Sequence, residues 1–208
     1  MGVGDNTLEQ FLESLAAATP TPGGGSVAAF CGALSAALSR MVSNLAIGKE
    51  GYEPVQAELA ELDRRGRDLQ RKLLILMDDD AKAYDEVIAS MRLPKGTGEE
   101  RASRVRAMQE AYERATTVPL DTMQSCSEAL ALALVAAQKG NRNAITDAGV
   151  AALVAEAGLR SAALNVRINL AALKDNALRA RVEERLEAIL KEADTVGHEV
   201  IALVENRL

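Results

Sequence analysis

Hydrophobic residues recur at helical spacing along most of the chain. Near the C-terminus they follow one another at steps of three and four, as in the seam of a helical bundle. This seam consists of Leu178, Val182, Leu186, Ile189, Ala193, Val196, Val200 and Leu203. The pattern predicts a helix over about 176–206, and a related pattern predicts another over about 145–173.

Local signals predict where the other helices begin and end. Thr7 with Gln10, and Thr97 with Glu100, have the spacing of a capping box. A long helix is expected between Pro54 and Pro94. The remaining boundary signals are Ser26 as the N-cap of a helix reaching about Gly48, Gly140 as a helix end, and Pro119, which either kinks a helix or separates two.

Composition agrees with a helical fold. Only 2% of the 208 residues are aromatic, whereas Ala and Leu, which favour helices over strands, are abundant. No internal repeat or low-complexity linker divides the chain. We therefore predict an all-α fold, an up-and-down helical bundle of long helices forming one domain over residues 1–208. Because such seams expose more apolar edge than one bundle hides, we expect it to dimerise.

Charge and targeting signals exclude some classes of partner and indicate where the protein is located. The formal net charge of −6 and the scarcity of aromatic residues argue against nucleic-acid binding. Residues 26–47 are the only plausible membrane candidate, and a buried core helix is the better interpretation, so no membrane partner is expected. Residues 1–6 lack the features of a secretory signal, which leads us to expect a cytoplasmic protein.

A glycine-rich segment, Pro20 to Ser26, is the clearest feature that a plain bundle does not require. Gly23, Gly24 and Gly25 would let backbone N–H groups approach a ligand at the positive end of the following helix. The segment is not a Walker A loop, because no GK[ST] follows it. The alternative interpretation is a tight turn between two helices.

An acidic run, Asp78 to Asp80, interrupts the apolar seam of the long third helix. The seam consists of Leu59, Leu62, Leu69, Leu73, Leu76 or Met77, Asp80, Tyr84, Val87 and Met91. Asp80 therefore takes a position where an apolar residue belongs, and burial would raise its pKa towards the range useful for proton transfer. The alternative is a buried carboxyl held by a structural partner. Asp78 and Asp79 are expected on a solvated flank.

Further polar candidates lie in the second half of the chain. Asn165 and Asn169 are one turn apart on one helix face, and asparagine is a poor helix former, so both amides are expected to form hydrogen bonds. Bonding between helices is the alternative to ligand binding. Asn143 precedes Asp147, for which a simple N-cap is the alternative. Lys49 either meets an anionic ligand or only favours a helix dipole.

Metal ligands are not apparent in the sequence. His198 has only Asp194 one turn before it, and a surface ion pair explains that spacing as well as any metal. Cys31 and Cys126 lie in apolar helical runs without CxxC spacing. We therefore expect no metal site.

Together, these segments resemble the cyclodeaminase/cyclohydrolase family of folate one-carbon enzymes. The motifs that carry the resemblance are TPTPGGGSVAA (19–29), GKEGY (48–52), DDDAKAYDEV (78–87), MRLPKGTGEE (91–100), GNRNAITDAGVAA (140–152) and NVRINL (165–170). Glycine-rich loops alone are common, but this ordered set, in a resemblance that covers nearly the whole chain, is highly specific. Glu50 departs from the family pattern, in which another basic residue is frequent.

The resemblance implies a dimeric helical bundle that acts on a tetrahydrofolate derivative. Asp80 matches the aspartate assigned to catalysis, and further motif positions are expected to line the folate cleft. These are Gly23, Gly24, Gly25, Ser26, Lys49, Asn143, Asp147, Asn165 and Asn169. The substrate supplies the reacting atoms, so no cofactor is expected.

Two activities and one alternative of another class follow from the resemblance. The first activity is hydrolysis of 5,10-methenyltetrahydrofolate to 10-formyltetrahydrofolate. The second is deamination of 5-formiminotetrahydrofolate to the methenyl compound and ammonia. The first is favoured, because the sequence contains no transferase domain to deliver a formimino group. A non-catalytic helical interaction protein remains the alternative.

Overall fold

Six α-helices make up most of the part of the chain that the structure, a computed structural model, describes: residues 6–208. They are α1 (Leu8–Ala16), α2 (Gly24–Asn44), α3 (Gln56–Met91), α4 (Gly98–Lys139), α5 (Ile145–Leu170) and α6 (Asn176–Glu205). Short 3₁₀ turns at Glu53–Val55 and Arg142–Ala144 precede α3 and α5, and no strand occurs among the described residues. The all-α prediction is confirmed.

Successive long helices run in opposite directions. Ser43 at the end of α2 donates to the carbonyl of Leu59 at the start of α3, whereas Ser26 at the start of α2 contacts Met77 far along α3. Lys139 at the end of α4 pairs with Glu58 near the start of α3. The order α2, α3, α4, α5 is therefore up, down, up, down, and α6 packs against α4 and α5. The up-and-down bundle is confirmed, and dimerisation stays a prediction.

Small residues let α2 lie deep in the bundle, against α3, α4 and α5. A Cβ on Gly158 of α5 would stand 2.7 Å from the carbonyl oxygen of Ala28, so only glycine allows this approach of two backbones. Alanines and inward-facing serines fill the rest of the contact. This packing brings the first turn of α2 beside the last turns of α5.

The structure corrects two boundary expectations and settles a third. Gly23 is the N-cap of α2, and Ser26 lies inside the helix with its hydroxyl turned to α3. Ala144 is the N-cap of α5, so the N-cap interpretation of Asp147 is wrong and that carboxylate lies in the first turn. Pro119 lies within the single continuous helix α4. The two capping boxes, at Thr7 and Thr97, are confirmed.

Two helices are long and apolar enough to cross a membrane by length and composition alone, Gly24–Asn44 and Arg142–Leu170. The expectation of a single candidate was therefore incomplete. About half of the most apolar window of each helix is buried inside the bundle, as in core helices of soluble proteins.

Candidate functional site

A cavity of about 460 Å³ opens where the first turn of α2 meets the last third of α3, the first half of α4 and the last turns of α5. We call it the Asp80 pocket. It is lined by Pro20, Thr21, Gly23, Gly24, Gly25, Asp80, Ala83, Tyr84, Val87, Ile88, Met91, Tyr112, Ala115, Asn165, Ile168 and Asn169. Its volume is within the range of small-molecule sites, and its walls combine apolar side chains with a few polar groups.

Asp80 is the ionisable group of this pocket. It follows the buried residues Leu73, Leu76 and Met77 on α3, which places its carboxyl half-buried against the start of α2. The Ser26 hydroxyl donates to the Met77 carbonyl at 3.0 Å and lies 3.4 Å from Asp80 Oδ2, and the Ser26 backbone N–H also bonds the carboxylate. Burial raises the pKa of Asp80, and the Ser26 hydrogen bonds oppose that rise without cancelling it.

The anion at the positive end of α2 is therefore the protein's own carboxylate. The sequence interpretation expected a ligand near the backbone N–H groups at this end of the helix, whereas a Cβ on Gly25 would stand only 1.9 Å from Asp80 Oδ1. Gly25 thus makes room for the Asp80 carboxyl. Gly23 and Gly24 still face the pocket, so the segment is more than a turn.

Asn169 compensates for the proline inside α4. Pro119 has no N–H, which leaves the carbonyl of Ala115, four residues earlier, without its helical partner. The Asn169 side chain crosses from α5 and donates Nδ2 to that carbonyl at 2.6 Å. The helix-to-helix interpretation of Asn169 is therefore confirmed, and the bond fixes which atom of the amide remains for a ligand.

The two amides present acceptors to the pocket. Asn165 donates Nδ2 to the Ser161 carbonyl one turn back, at 3.0 Å. In both residues Nδ2 is engaged, and within the described part of the chain neither Oδ1 has a hydrogen-bond partner. A ligand edge that carries N–H donors matches these two oxygens.

The link between Asn169 and Pro119 gives a stability prediction. Asn169→Ala should lower the free energy of unfolding by about 1–3 kcal/mol, because the buried Ala115 carbonyl loses its donor. In a Pro119→Ala background the restored N–H serves that carbonyl, so the same substitution should then have a much smaller effect. Urea unfolding of the four proteins forms the double-mutant cycle, and equal losses in both backgrounds would contradict the linkage.

Four residues expected in the cleft do not line this pocket: Ser26 is fully buried behind it, against Met77 and Asp80, and the other three lie far from it. Asp147 precedes Asn165 by eighteen positions of one helix, about 27 Å at the rise of an α-helix. Asn143 lies in the turn before α5. Lys49 lies in the loop after α2, and Tyr52 of that loop accepts a hydrogen bond from the Arg142 N–H at 3.1 Å. The Asp80 pocket of one chain therefore does not contain all nine residues expected to line the folate cleft, and the role of these three, which share the opposite end of the bundle, stays a prediction.

Several pocket residues were not chosen from the sequence. Tyr84 lies one turn after Asp80 on the same seam, and Ile168 is an exposed apolar residue directly before Asn169. Because each lies close in sequence to a predicted site residue, the sequence could have indicated both. Tyr112 gave no such signal, since its place depends on the register of α4 against α3. Asp79, by contrast, pairs with Lys82 at 3.1 Å beside the pocket.

No cluster of three potential metal-ligating side chains occurs among residues 6–208. His198 contacts the carbonyl of Asp194 through Nδ1, and the Asp194 carboxylate pairs with Arg160. His198 therefore lies on the exposed surface of α6, a helix that contributes no residue to the lining of the Asp80 pocket.

Fold and site together define a class of protein: a helical bundle that presents a half-buried carboxyl, whose pKa burial raises, to a cavity of small-molecule size. The family model described as formiminotransferase-cyclodeaminase matches residues 7–188, and the chain belongs to this family. The resemblance drawn from the six motifs is thereby confirmed.

Individual relatives match nearly the whole chain. A methenyltetrahydrofolate cyclohydrolase of Methylorubrum extorquens is 45% identical over 205 residues, 99% of each chain. A formimidoyltransferase-cyclodeaminase of Rattus norvegicus is 34% identical over 203 residues, which are 98% of this chain and 38% of that protein. The crystal structure of formiminotetrahydrofolate cyclodeaminase from Thermotoga maritima superposes with a TM-score of 0.89 at 28% identity, covering 98% of both chains.

Proposed function

We propose that this chain is a methenyltetrahydrofolate cyclohydrolase, which converts 5,10-methenyltetrahydrofolate and water to 10-formyltetrahydrofolate. The observation that carries the proposal is the half-buried Asp80 carboxyl facing a cavity of ligand size. The cyclohydrolase that is 45% identical and equally long supports this activity over the others.

The pocket suits the substrate in shape and polarity. Apolar walls from Tyr84, Val87, Met91 and Tyr112 provide surfaces for the flat rings. The Oδ1 atoms of Asn165 and Asn169 accept from the N–H groups of the pterin edge. These contacts hold the reacting carbon near Asp80.

Asp80 moves the proton that the reaction requires. Water attacks the methenyl carbon while the carboxylate accepts a proton from it, which gives a tetrahedral carbon that bridges N5 and N10. The bond from carbon to N5 then breaks, N5 receives the proton from Asp80, and the remaining hydroxyl loses its proton to form the N10-formyl group. The cationic substrate and water thus give neutral product and one released proton. A raised pKa suits a carboxyl that must both take and return a proton.

Cyclodeamination is the second candidate function. It passes through a tetrahedral carbon at the same bridge, with ammonia as the leaving group instead of N5. The structural neighbour from Thermotoga maritima, a formiminotetrahydrofolate cyclodeaminase, supports it. The same Asp80 would protonate the departing nitrogen.

The working form we propose is a cytoplasmic homodimer without metal or redox cofactor. Neither reaction changes an oxidation state, and the described residues offer no ligand cluster. The net charge of −6 supports the absence of nucleic-acid partners. The burial of about half of the most apolar window of α2 and of α5 inside the bundle supports a protein that is not embedded in a membrane.

A direct comparison of the two substrates tests the proposal. We expect the purified protein to accelerate loss of the methenyl absorbance above its spontaneous hydrolysis, and to release ammonia from 5-formiminotetrahydrofolate more slowly. Ammonia release without accelerated methenyl hydrolysis would make cyclodeamination the function. If the folded protein acts on neither substrate and also fails to bind folate, the non-catalytic alternative would be favoured.

A further inference from the structure

A second cavity adjoins the Asp80 pocket along α3. Its volume is about 400 Å³, and it is lined by Pro20, Tyr84, Asp85, Ile88, Ala89 and Arg92. We call it the Arg92 cavity. Three of its residues, Pro20, Tyr84 and Ile88, also line the Asp80 pocket, so the two cavities share a wall. The Arg92 cavity is therefore the next space that a ligand longer than the Asp80 pocket meets along α3.

Asp85 and Arg92 are the charged residues of this cavity. They are seven positions apart, about two helical turns, so both project from the same face of α3. Glu86, which follows Asp85, pairs with Arg114 on α4 at 2.9 Å. Within residues 6–208, by contrast, neither the Asp85 nor the Arg92 side chain has a hydrogen-bond or ion-pair partner. A guanidinium and a carboxylate thus face the same space with their hydrogen-bonding groups available.

The end of α3 that carries Arg92 is fixed by α4. Arg104 donates from Nε and Nη2 to the carbonyl of Met91, at 3.2 and 3.0 Å. Met91 lines the Asp80 pocket and directly precedes Arg92, whose own N–H donates to the Ala89 carbonyl at 3.1 Å. Because the backbone beneath the guanidinium is already held, less conformational freedom is lost when a ligand binds there.

The charges of the two cavities match those of the proposed substrate. Its methenyl bridge is cationic, whereas its glutamate, joined to the benzoyl ring by an amide, is anionic. Asp80 and Arg92 are twelve positions apart, about 18 Å at the rise of an α-helix. Side chains on a helix lean toward its N-terminus, which brings the guanidinium closer to Asp80. Opposite charges therefore meet at both ends when the bridge lies at Asp80, and this fixes the direction of binding.

We propose that the Arg92 cavity is the subsite for the amide-linked glutamate of the substrate, and that Arg92 binds the α-carboxylate of this glutamate. The proposal rests on the proposed function for the identity of the ligand. The planar guanidinium presents paired N–H donors that match a carboxylate. The Asp85 carboxylate accepts a hydrogen bond from the amide N–H, and Tyr84, in the shared wall, packs against the aminobenzoyl ring. The subsite extends the site into the motif MRLPKGTGEE.

Binding of two related ligands tests the subsite without any turnover. Tetrahydropteroate differs from tetrahydrofolate only in lacking the glutamate. We expect the wild-type protein to bind tetrahydrofolate on the order of 10-fold more tightly than tetrahydropteroate in anaerobic titration calorimetry. Arg92→Gln should lose this preference, because it weakens the binding of tetrahydrofolate alone. A merely structural role of Arg92, such as favouring the helix dipole, would change the affinity for both ligands equally.

Arg106→Gln is the matched control for the binding experiment. Arg106 is an exposed arginine of α4 that lines neither cavity, and its substitution changes the net charge by the same amount. It should leave the preference for tetrahydrofolate unchanged. Equal affinity of the wild-type protein for the two ligands, or an equal loss of preference in both variants, would overturn the subsite.

Turnover separates this proposal from the proposed function. Arg92→Gln should lower kcat/KM for 5,10-methenyltetrahydrofolate on the order of 10-fold, mainly through KM, because it removes binding that the substrate and the transition state share. It should hydrolyse methenyltetrahydropteroate as the wild type does. Wild-type protein that shows the binding preference without hydrolysis would refute the proposed function alone. Hydrolysis of both methenyl compounds with the same kcat/KM would refute the subsite alone, and failure to bind either ligand would refute both.

Discussion

Asp80→Asn should keep the fold and lose most activity, with a rate on the order of 10²–10⁴-fold below that of the wild type. The amide has nearly the same shape and still accepts a hydrogen bond from Ser26, but it cannot exchange a proton. Far-UV circular dichroism checks the fold, and methenyl hydrolysis above the spontaneous rate measures activity.

Asp79→Asn is the matched control for this variant. Asp79 is the preceding residue on α3 and pairs with Lys82 at 3.1 Å, outside the Asp80 pocket. It should change the rate little, because an ion pair at the surface contributes little to either stability or chemistry. If folded Asp80→Asn turns over at the wild-type rate, then Asp80 is a structural carboxyl and the mechanism is wrong.

Gly25→Ala should produce a loss of similar size without replacing any ionisable group. The added Cβ would stand 1.9 Å from Asp80 Oδ1, so the carboxyl must rotate away from Ser26 and out of its catalytic position. A displacement of about 1 Å is enough to reduce a rate on the order of 10²-fold. Because the displaced atoms end a side chain, the free energy of unfolding should fall much less than activity does.

Gly98→Ala is the control for Gly25→Ala. Gly98 also lies in the first turn of a helix, α4, and a Cβ there would meet nothing within 4 Å. It should leave the rate unchanged. Wild-type turnover by Gly25→Ala would show that the position of the Asp80 carboxyl does not limit the reaction.

Local patterns in the sequence predicted the helices and the central residue of the site. Asp80 was found because a carboxylate replaced an apolar residue in a regular seam, and the two capping boxes marked helix starts from four residues each. These features depend on neighbours within a turn or two, which a sequence displays directly.

Features that depend on contacts between distant segments were not predicted. Bonding between helices was one interpretation of Asn169, but its partner, the Ala115 carbonyl 54 positions away, could not be named from the sequence. The motif set likewise names Lys49 and Asp147 beside Asp80, but motif order carries no distance. Only the fold shows that a single chain separates them by the length of a helix.

One measurement tests the central claim most directly: the rate at which 5,10-methenyltetrahydrofolate disappears in chelator-treated buffer, with and without this protein. The account predicts accelerated hydrolysis to 10-formyltetrahydrofolate that is proportional to wild-type protein and is abolished by Asp80→Asn. Hydrolysis at the spontaneous rate with folded wild-type protein, or equal acceleration by Asp80→Asn, would contradict it.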